Sequence, residues 1–150
     1  MRAVIQRVLE AKVSIDELIH SEIKNGLLIF IGIEDSDSAN DINYLANKIC
    51  NLRIFSDADG KMNLNLKDTE GEILVVSQFT LHAKTKKGNR PSFIKSAKPE
   101  CAIPLYNDFC IELQTLLQKE IQTGKFGADM KISLINDGPV TILIDSKDKQ

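Results

Sequence analysis

Ile73-Leu74-Val75-Val76 is an unbroken apolar run that turns polar at once, into Ser77-Gln78-Phe79-Thr80-Leu81. Successive strand residues face opposite ways, so four apolar residues in a row, three of them β-branched, predict a central strand covered on both faces. Gly26-Leu27-Leu28-Ile29-Phe30-Ile31-Gly32-Ile33 is a second run of this kind, ended by the polar residues 34–37. At the end of the first run, Ser77, Gln78 and Thr80 offer hydrogen-bond donors and acceptors on a rigid element, which is what a site requires. The plainer reading is a strand that runs out into solvent.

Asn136-Asp137-Gly138-Pro139-Val140-Thr141 lies between two alternating apolar runs, residues 131–135 and 140–144. Asp-Gly between strands predicts a hairpin with a tight turn. Pro139 removes a donor where the second strand would begin to pair, so this hairpin leaves backbone carbonyls free.

The remaining elements follow from periodicity. Residues 2–15 alternate as a strand, with a slip near Glu10 and Ala11 that suggests a bulge or tight bend. Arg7 falls within it, where a charged side chain ordinarily faces solvent. Residues 16–22 read as a polar turn. Ser38 with Asp41 resembles a helix N-terminus, after which Ile42, Leu45, Ala46, Ile49 and Leu52 share one face. Asp57-Ala58-Asp59-Gly60 reads as a turn, because a calcium loop needs glycine at its sixth place and glutamate at its twelfth. Tyr106, Phe109, Cys110, Leu113, Leu117 and Ile121 predict a second amphipathic helix ended by Gly124. It starts at Pro104 or, if at Pro99, is kinked at Pro104. Phe126 and Met130 follow as core plugs or as part of a site wall. The tail from Asp145 to Gln150 is expected to fray.

A chain of 150 residues, 43% of them hydrophobic, is the size of one domain with its own core, 1–150. The net charge of −2 argues against a broad electrostatic grip on nucleic acid, DNA included. Charge is unevenly spread, however: residues 82–99 hold Lys84, Lys86, Lys87, Arg90, Lys95 and Lys98 and no acid, as a local phosphate contact would. Cys50, Cys101 and Cys110 are odd in number and lack Cys-x-x-Cys spacing, which predicts free buried thiols in a reducing compartment and no metal site. The longest apolar run is too short to span a bilayer and no signal-peptide core is present, so a soluble cytoplasmic protein is expected. His20 and His82 are the only histidines, and neither lies in a hydrolase signature such as Gly-x-Ser-x-Gly. His82 would share a face with Thr80 if the strand continued, which makes a threonine-histidine pair conceivable.

Taken together, Ser77-Gln78-Phe79-Thr80 and Asn136-Asp137-Gly138-Pro139-Val140-Thr141 resemble the signature pair of the D-aminoacyl-tRNA deacylase family. The similarity extends through Ile5-Gln6-Arg7-Val8, Arg53-Ile54-Phe55-Ser56-Asp57, Gly60-Lys61-Met62-Asn63-Leu64, Arg90-Pro91-Ser92-Phe93 and Gln122-Thr123-Gly124. The resemblance implies a mixed α/β fold of largely antiparallel sheets with two amphipathic helices packed on them. It also implies a homodimer in which a cis Gly138-Pro139 bond enters the partner subunit's site and excludes L-amino acids, while Arg7 holds that dipeptide. Under it, Ser77, Gln78, Phe79 and Thr80 form the catalytic segment, and Asn136, Phe126 and Met130 complete the amino-acid pocket. Lys84, Lys86, Lys87 and Arg90 would contact tRNA phosphates, and no cofactor or metal is called for. The amides of Phe79 and Thr80 are the expected oxyanion donors, with Thr80 as nucleophile a second reading. Exclusion of a side chain leaves glycine esters cleavable. The rival readings are an editing domain for another mischarged tRNA, a non-catalytic tRNA-binding module that would not release amino acid, and a small-ester hydrolase.

Overall fold

In a computed structural model, which describes residues 1–149, the chain is built around strand β1 (Arg2–Ile15). One edge of β1 pairs antiparallel with β3 (Gly26–Gly32) over Arg2 to Val8 and with β2 (Leu18–Ile23) over Ala11 to Ile15. Its other edge pairs antiparallel with β8 (Lys131–Asp145) along nearly its whole length. Beyond β3 come two parallel partners, β6 (Glu72–Ser77) and the short β7 (Gln122–Thr123). A separate ladder joins β4 (Phe55–Ser56) to β5 (Met62–Leu64). The class is therefore mixed α/β, with a largely antiparallel sheet and two helices, α1 (Ala39–Asn51) and α2 (Pro99–Leu117).

The run 73–76 is covered on both faces. Ile73 and Val75 join Leu27, Ile29 and Ile31 in a core roofed by Leu45 and Ile49 of α1 and Phe109 and Leu113 of α2. Leu74, Val76 and Leu28 point the other way, into a second cluster with Val8, Ala11, Val13 and Ile23. The sheet supplies this second cover itself by curling until β2 meets β7, where the Ser21 hydroxyl donates to the Thr123 carbonyl at 2.8 Å. A bulge in β1 makes the curl possible. Val8 lies opposite Asn136 and Glu10 opposite Ile135, so Leu9 is one residue too many. One extra residue flips the strand's facing: Ala3, Ile5 and Arg7 share the helix side, whereas Ala11 and Val13 join Val8 on the other. The slip expected near Glu10 lies one position earlier.

Four expectations are corrected. Residues 131–135 and 140–144 do not form a hairpin: both pair with β1, and β8 is one strand. Between the pairs Val8↔Asn136 and Gln6↔Thr141, five steps along β8 answer two along β1, so three surplus residues bulge outward around Asp137, Gly138 and Pro139. The polar turn at 16–22 shrinks to Asp16 and Glu17, both at positive φ (49° and 65°), and strand pairing resumes at Leu18. Helix α2 starts at Pro99, runs through Pro104, and ends at Gln118 in the left-handed conformation (φ 52°) rather than at Gly124. Pro104 lacks only the N–H that would reach the exposed Glu100 carbonyl, a group water can serve.

The tail beyond Asp145 is also anchored, at least to Lys147. Ser146 is buried, its N–H donates to the Met1 carbonyl at 2.9 Å and its hydroxyl to Asp41 at 2.7 Å. Asp41 additionally accepts from the Ser38 N–H (2.9 Å), closing the cap of α1, and from the Lys147 ammonium (2.9 Å). Burial pushes the Asp41 carboxyl upward, but the hydrogen bonds from Lys147, Ser146 and Ser38 outweigh it and hold the group well below the usual carboxylate range. A depressed folded-state pKa contributes stability that is present above about pH 4, the unfolded value, and is lost as the pH falls further. Asp41→Asn should therefore lower Tm at pH 7 and flatten its dependence on pH below 4; parallel melting curves for both proteins would refute this. Gln150 lies outside the described residues. No helix among them is long and apolar enough to cross a membrane.

Candidate active site

Strand β6 delivers the polar segment to the sheet's end. Ser77 is the last residue paired with β3, and the Gln78 N–H still donates to the Ile31 carbonyl at 2.8 Å. The chain then tightens into a single 3₁₀ turn, Phe79–His82, closed by Leu81 N–H to the Gln78 carbonyl (3.2 Å) and Ala83 N–H to the Thr80 carbonyl (3.0 Å). The first N–H groups of such a turn have no carbonyl behind them, and those of Phe79 and Thr80 donate to nothing in the described chain. They are adjacent and unspent. From behind, α2 steadies the strand: the Tyr106 hydroxyl and the Gly124 N–H both donate to the Val75 carbonyl, at 3.0 and 2.8 Å.

A cavity of about 310 Å³ opens at this point, lined among others by Val76, Ser77, Gln78, Phe79, Phe126 and Met130. Tyr106 sets Phe126 in place through an edge-to-face contact at 5.8 Å. Ser77, Gln78, Phe79, Phe126 and Met130 thus meet at one cavity, and Thr80 follows Phe79 in the chain. The Thr80 hydroxyl accepts from the Gln78 side-chain amide at 2.7 Å. The conceivable Thr80–His82 pair does not form. In a turn of about three residues, positions two apart point away from each other. His82 is accordingly buried, its Nε2 unpartnered and its ring against Gly32. Burial pushes the Cys50 and Cys110 thiols up to about 11 and about 12, whereas Cys101, expected to be buried, is exposed on the first turn of α2. Among the described residues no cluster of His, Cys, Asp or Glu could hold a metal ion.

Gly138-Pro139 is a cis peptide, and it is held from two sides. Arg7 does not face solvent. It is buried, donating from Nε to the Asp137 carbonyl at 2.9 Å and from Nη1 to the Ile54 carbonyl at 2.6 Å, with the Asp137 carboxylate 3.2 Å away. Asn136 spans the bulge, accepting from the Val140 N–H at 2.8 Å and donating to the Val140 carbonyl at 3.1 Å. Gly138 has φ 144°, and a Cβ there would lie 2.8 Å from the Val140 nitrogen, so only glycine fits. Gly138 and Pro139 themselves are exposed. They do not line the cavity at Phe79.

Lys84, Lys86, Lys87 and Arg90 are exposed on a loop whose stem is closed by reciprocal backbone hydrogen bonds between Lys84 and Ser92, at 2.8 and 3.0 Å. Two contacts escaped the sequence reading. The Ser96 hydroxyl donates to the Phe79 carbonyl at 2.8 Å, and Phe93 packs against the Phe79 ring. That peptide carbonyl lies in the same rigid plane as the Thr80 N–H, so Ser96 orients one of the free donors. Only the proximity of residues 93–96 to the Ser-Gln-Phe-Thr segment in sequence hinted at either.

Residues 4–145 match the family described as D-Tyr-tRNA(Tyr) deacylase. The chain is 65% identical over its full length, and that of the relative, to a D-aminoacyl-tRNA deacylase of Flavobacterium psychrophilum. It is 60% identical, again over the whole of both chains, to one of Bacteroides fragilis. A solved structure of a c-Myc DNA Unwinding Element Binding Protein is 39% identical and superposes with a TM-score of 0.91, covering 97% of this chain and 98% of the other. A probable eukaryotic D-amino acid tRNA deacylase, 17% identical, shares the fold at a TM-score of 0.81 over 95% and 97% of the two chains.

Proposed function

The chain belongs to the D-Tyr-tRNA(Tyr) deacylase family, and from that footing we propose that it hydrolyses the ester joining a D-amino acid to the terminal adenosine of tRNA. The observation that carries the proposal is the pair of unspent N–H groups, Phe79 and Thr80, at the mouth of an apolar cavity. Aimed at an ester carbonyl, they stabilise the negative charge that develops on its oxygen when water adds. The ribose 2′-hydroxyl assists the attacking water. The tetrahedral intermediate then collapses, the bond to the ribose 3′-oxygen breaks, and that oxygen takes up a proton. Because aminoacyl esters are intrinsically labile, a positioned water and a stabilised oxyanion suffice. Ser77 and Gln78 shape the pocket, with Phe126 and Met130 as its wall.

Chiral selection needs rigid polar atoms where an L side chain would point, since a hydrophobic pocket discriminates by only about 1–3 kcal/mol per methylene. Gly138 and Pro139 supply main-chain carbonyls on a fixed, exposed bulge outside the lining of their own chain's cavity, and in this reading they enter that of a second copy. Exposed Leu9 and Ile135, on the paired strands next to this bulge, are the kind of surface that such a homodimer would cover.

The experiment is release of amino acid from D-, L- and glycyl-tRNA by the purified protein, with the particle mass measured in parallel. D- and glycyl esters should be cleaved and L-esters spared, because a device that excludes a side chain does nothing to a hydrogen atom. Inert glycyl-tRNA, or a monomer with full activity, would contradict this mechanism. The Thr80→Ala variant separates the two roles open to Thr80. Its backbone N–H survives, so single-turnover rates should fall by less than about tenfold, the loss of one hydrogen bond at most. Near-complete loss with binding intact would make the hydroxyl the nucleophile.

A further inference from the structure

Phe93 and Phe79 meet edge to face, their centroids 5.0 Å apart and their planes at 75°. Both stay open to water, Phe79 at 56% and Phe93 at 38% exposure. In such a pair the ring that contributes its edge keeps both flat faces free of the other. Phe79 lines the cavity and Phe93 does not, so the pair stands on the rim. On the far side of the rim the Lys84–Ser92 bridge closes the stem of the cationic loop and sets Phe93 one residue beyond it. None of Lys84, Lys86, Lys87 and Arg90 forms an ion pair within the described chain, although the protein as a whole is acidic.

We propose that this rim is a subsite for an unpaired nucleobase, that of the nucleotide on the 5′ side of the nucleoside carrying the ester. The inference rests on the aminoacyl-tRNA reading above. A single strand leaving the cavity must cross the rim, and an open aromatic face beside unpaired cations is the combination that holds single-stranded nucleic acid without reading its sequence. Stacking needs only a flat base, so the subsite suits a strand end shared by many tRNAs. The base lies on Phe93 while Lys86, Lys87 and Arg90 meet the flanking phosphates. Phe93 follows a basic run otherwise without aromatics, and its contact with Phe79 supplies the second ring.

The test compares kcat/KM for the D-aminoacyl ester of the trinucleotide cytidylyl-cytidylyl-adenosine with that for the same ester of adenosine alone. Wild-type protein should prefer the trinucleotide. Phe93→Leu should reduce that preference roughly tenfold, the scale of one stacked base, and Phe93→Trp should restore it. An unchanged preference in Phe93→Leu overturns the proposal, as does an equal loss on both esters, which would mean that the ring merely supports Phe79. A change in particle mass with Phe93→Leu would also overturn it, by assigning the rim to contact between copies. Wild-type protein inactive on both esters would instead remove the deacylase reading itself.

Discussion

Arg7→Lys is expected to lower the ratio of D- to L-aminoacyl-tRNA cleavage by about one to two orders of magnitude, chiefly by raising the rate on the L-ester. The guanidinium acts as a clamp with two jaws. Nε binds the Asp137 carbonyl and Nη1 the Ile54 carbonyl, so the bulge of β8 is tied to the chain beside β4 through one buried, planar group. A lysine places a single point charge on a flexible stem and cannot span both acceptors. The carbonyl it releases belongs to the peptide unit leading into Gly138, so the proposed selecting atoms lose their fixed direction. A hydrogen bond from a charged group is worth about 1.5–3 kcal/mol, which corresponds to the expected loss. Asp137, with its carboxylate 40% exposed, adds little to this and should tolerate Asn. Initial rates on both esters, with Tm as a control for folding, provide the measurement; an unaltered D/L ratio in a folded Arg7→Lys protein would remove Arg7 and its bulge from chiral selection.

The largest loss of stability should come from Gly26→Ala. Gly26 opens β3 opposite Glu72, the first residue of β6, and a Cβ there would lie 2.0 Å from the Glu72 carbonyl oxygen and 2.6 Å from its nitrogen. Both obstacles are backbone, so no side chain can turn aside. The two strands must part at the point where the Glu72 N–H donates to the Asn25 carbonyl at 3.0 Å. Overpacking of this kind costs about 1–3 kcal/mol or more, and for a domain of this size each kcal/mol moves Tm by roughly 2–4 °C. Tm should fall by about 10 °C, or the protein should fail to fold. Because β6 carries Ser77 into the cavity, activity should fall with it. A variant with wild-type Tm would show that the strand pair can open at no cost.

How much of this was legible beforehand depends on the range of the forces involved. The covered strand at 73–76, the apolar face of α1, its Ser38–Asp41 cap and the turn at Asp57 were all set by neighbours within a few residues, and the sequence stated them. The segments Ser77–Thr80 and Asn136–Thr141 were legible as motifs, and Phe126 and Met130 as core plugs or as part of a site wall. Their arrangement was not. The bland expectation for a charged residue in a strand put Arg7 in solvent; alternation with Ala3 and Ile5 places it instead on the helix side, between two carbonyls that no sequence spacing connects.

What the sequence by itself determined is therefore where the chain extends, where it coils and which segment turns polar, because dihedral preference, side-chain period and capping are local. Only the tertiary structure decided that residues 131–145 form one strand and not a hairpin, since both halves pair with the same edge of β1. It likewise decided that residues 18–23 pair, that the tail after Asp145 is anchored through Asp41, and that Phe93 meets Phe79. Each of these rests on a partner distant in sequence. A strand's free edge or a ring's free face carries no address, and the partner is settled only when the whole sheet closes.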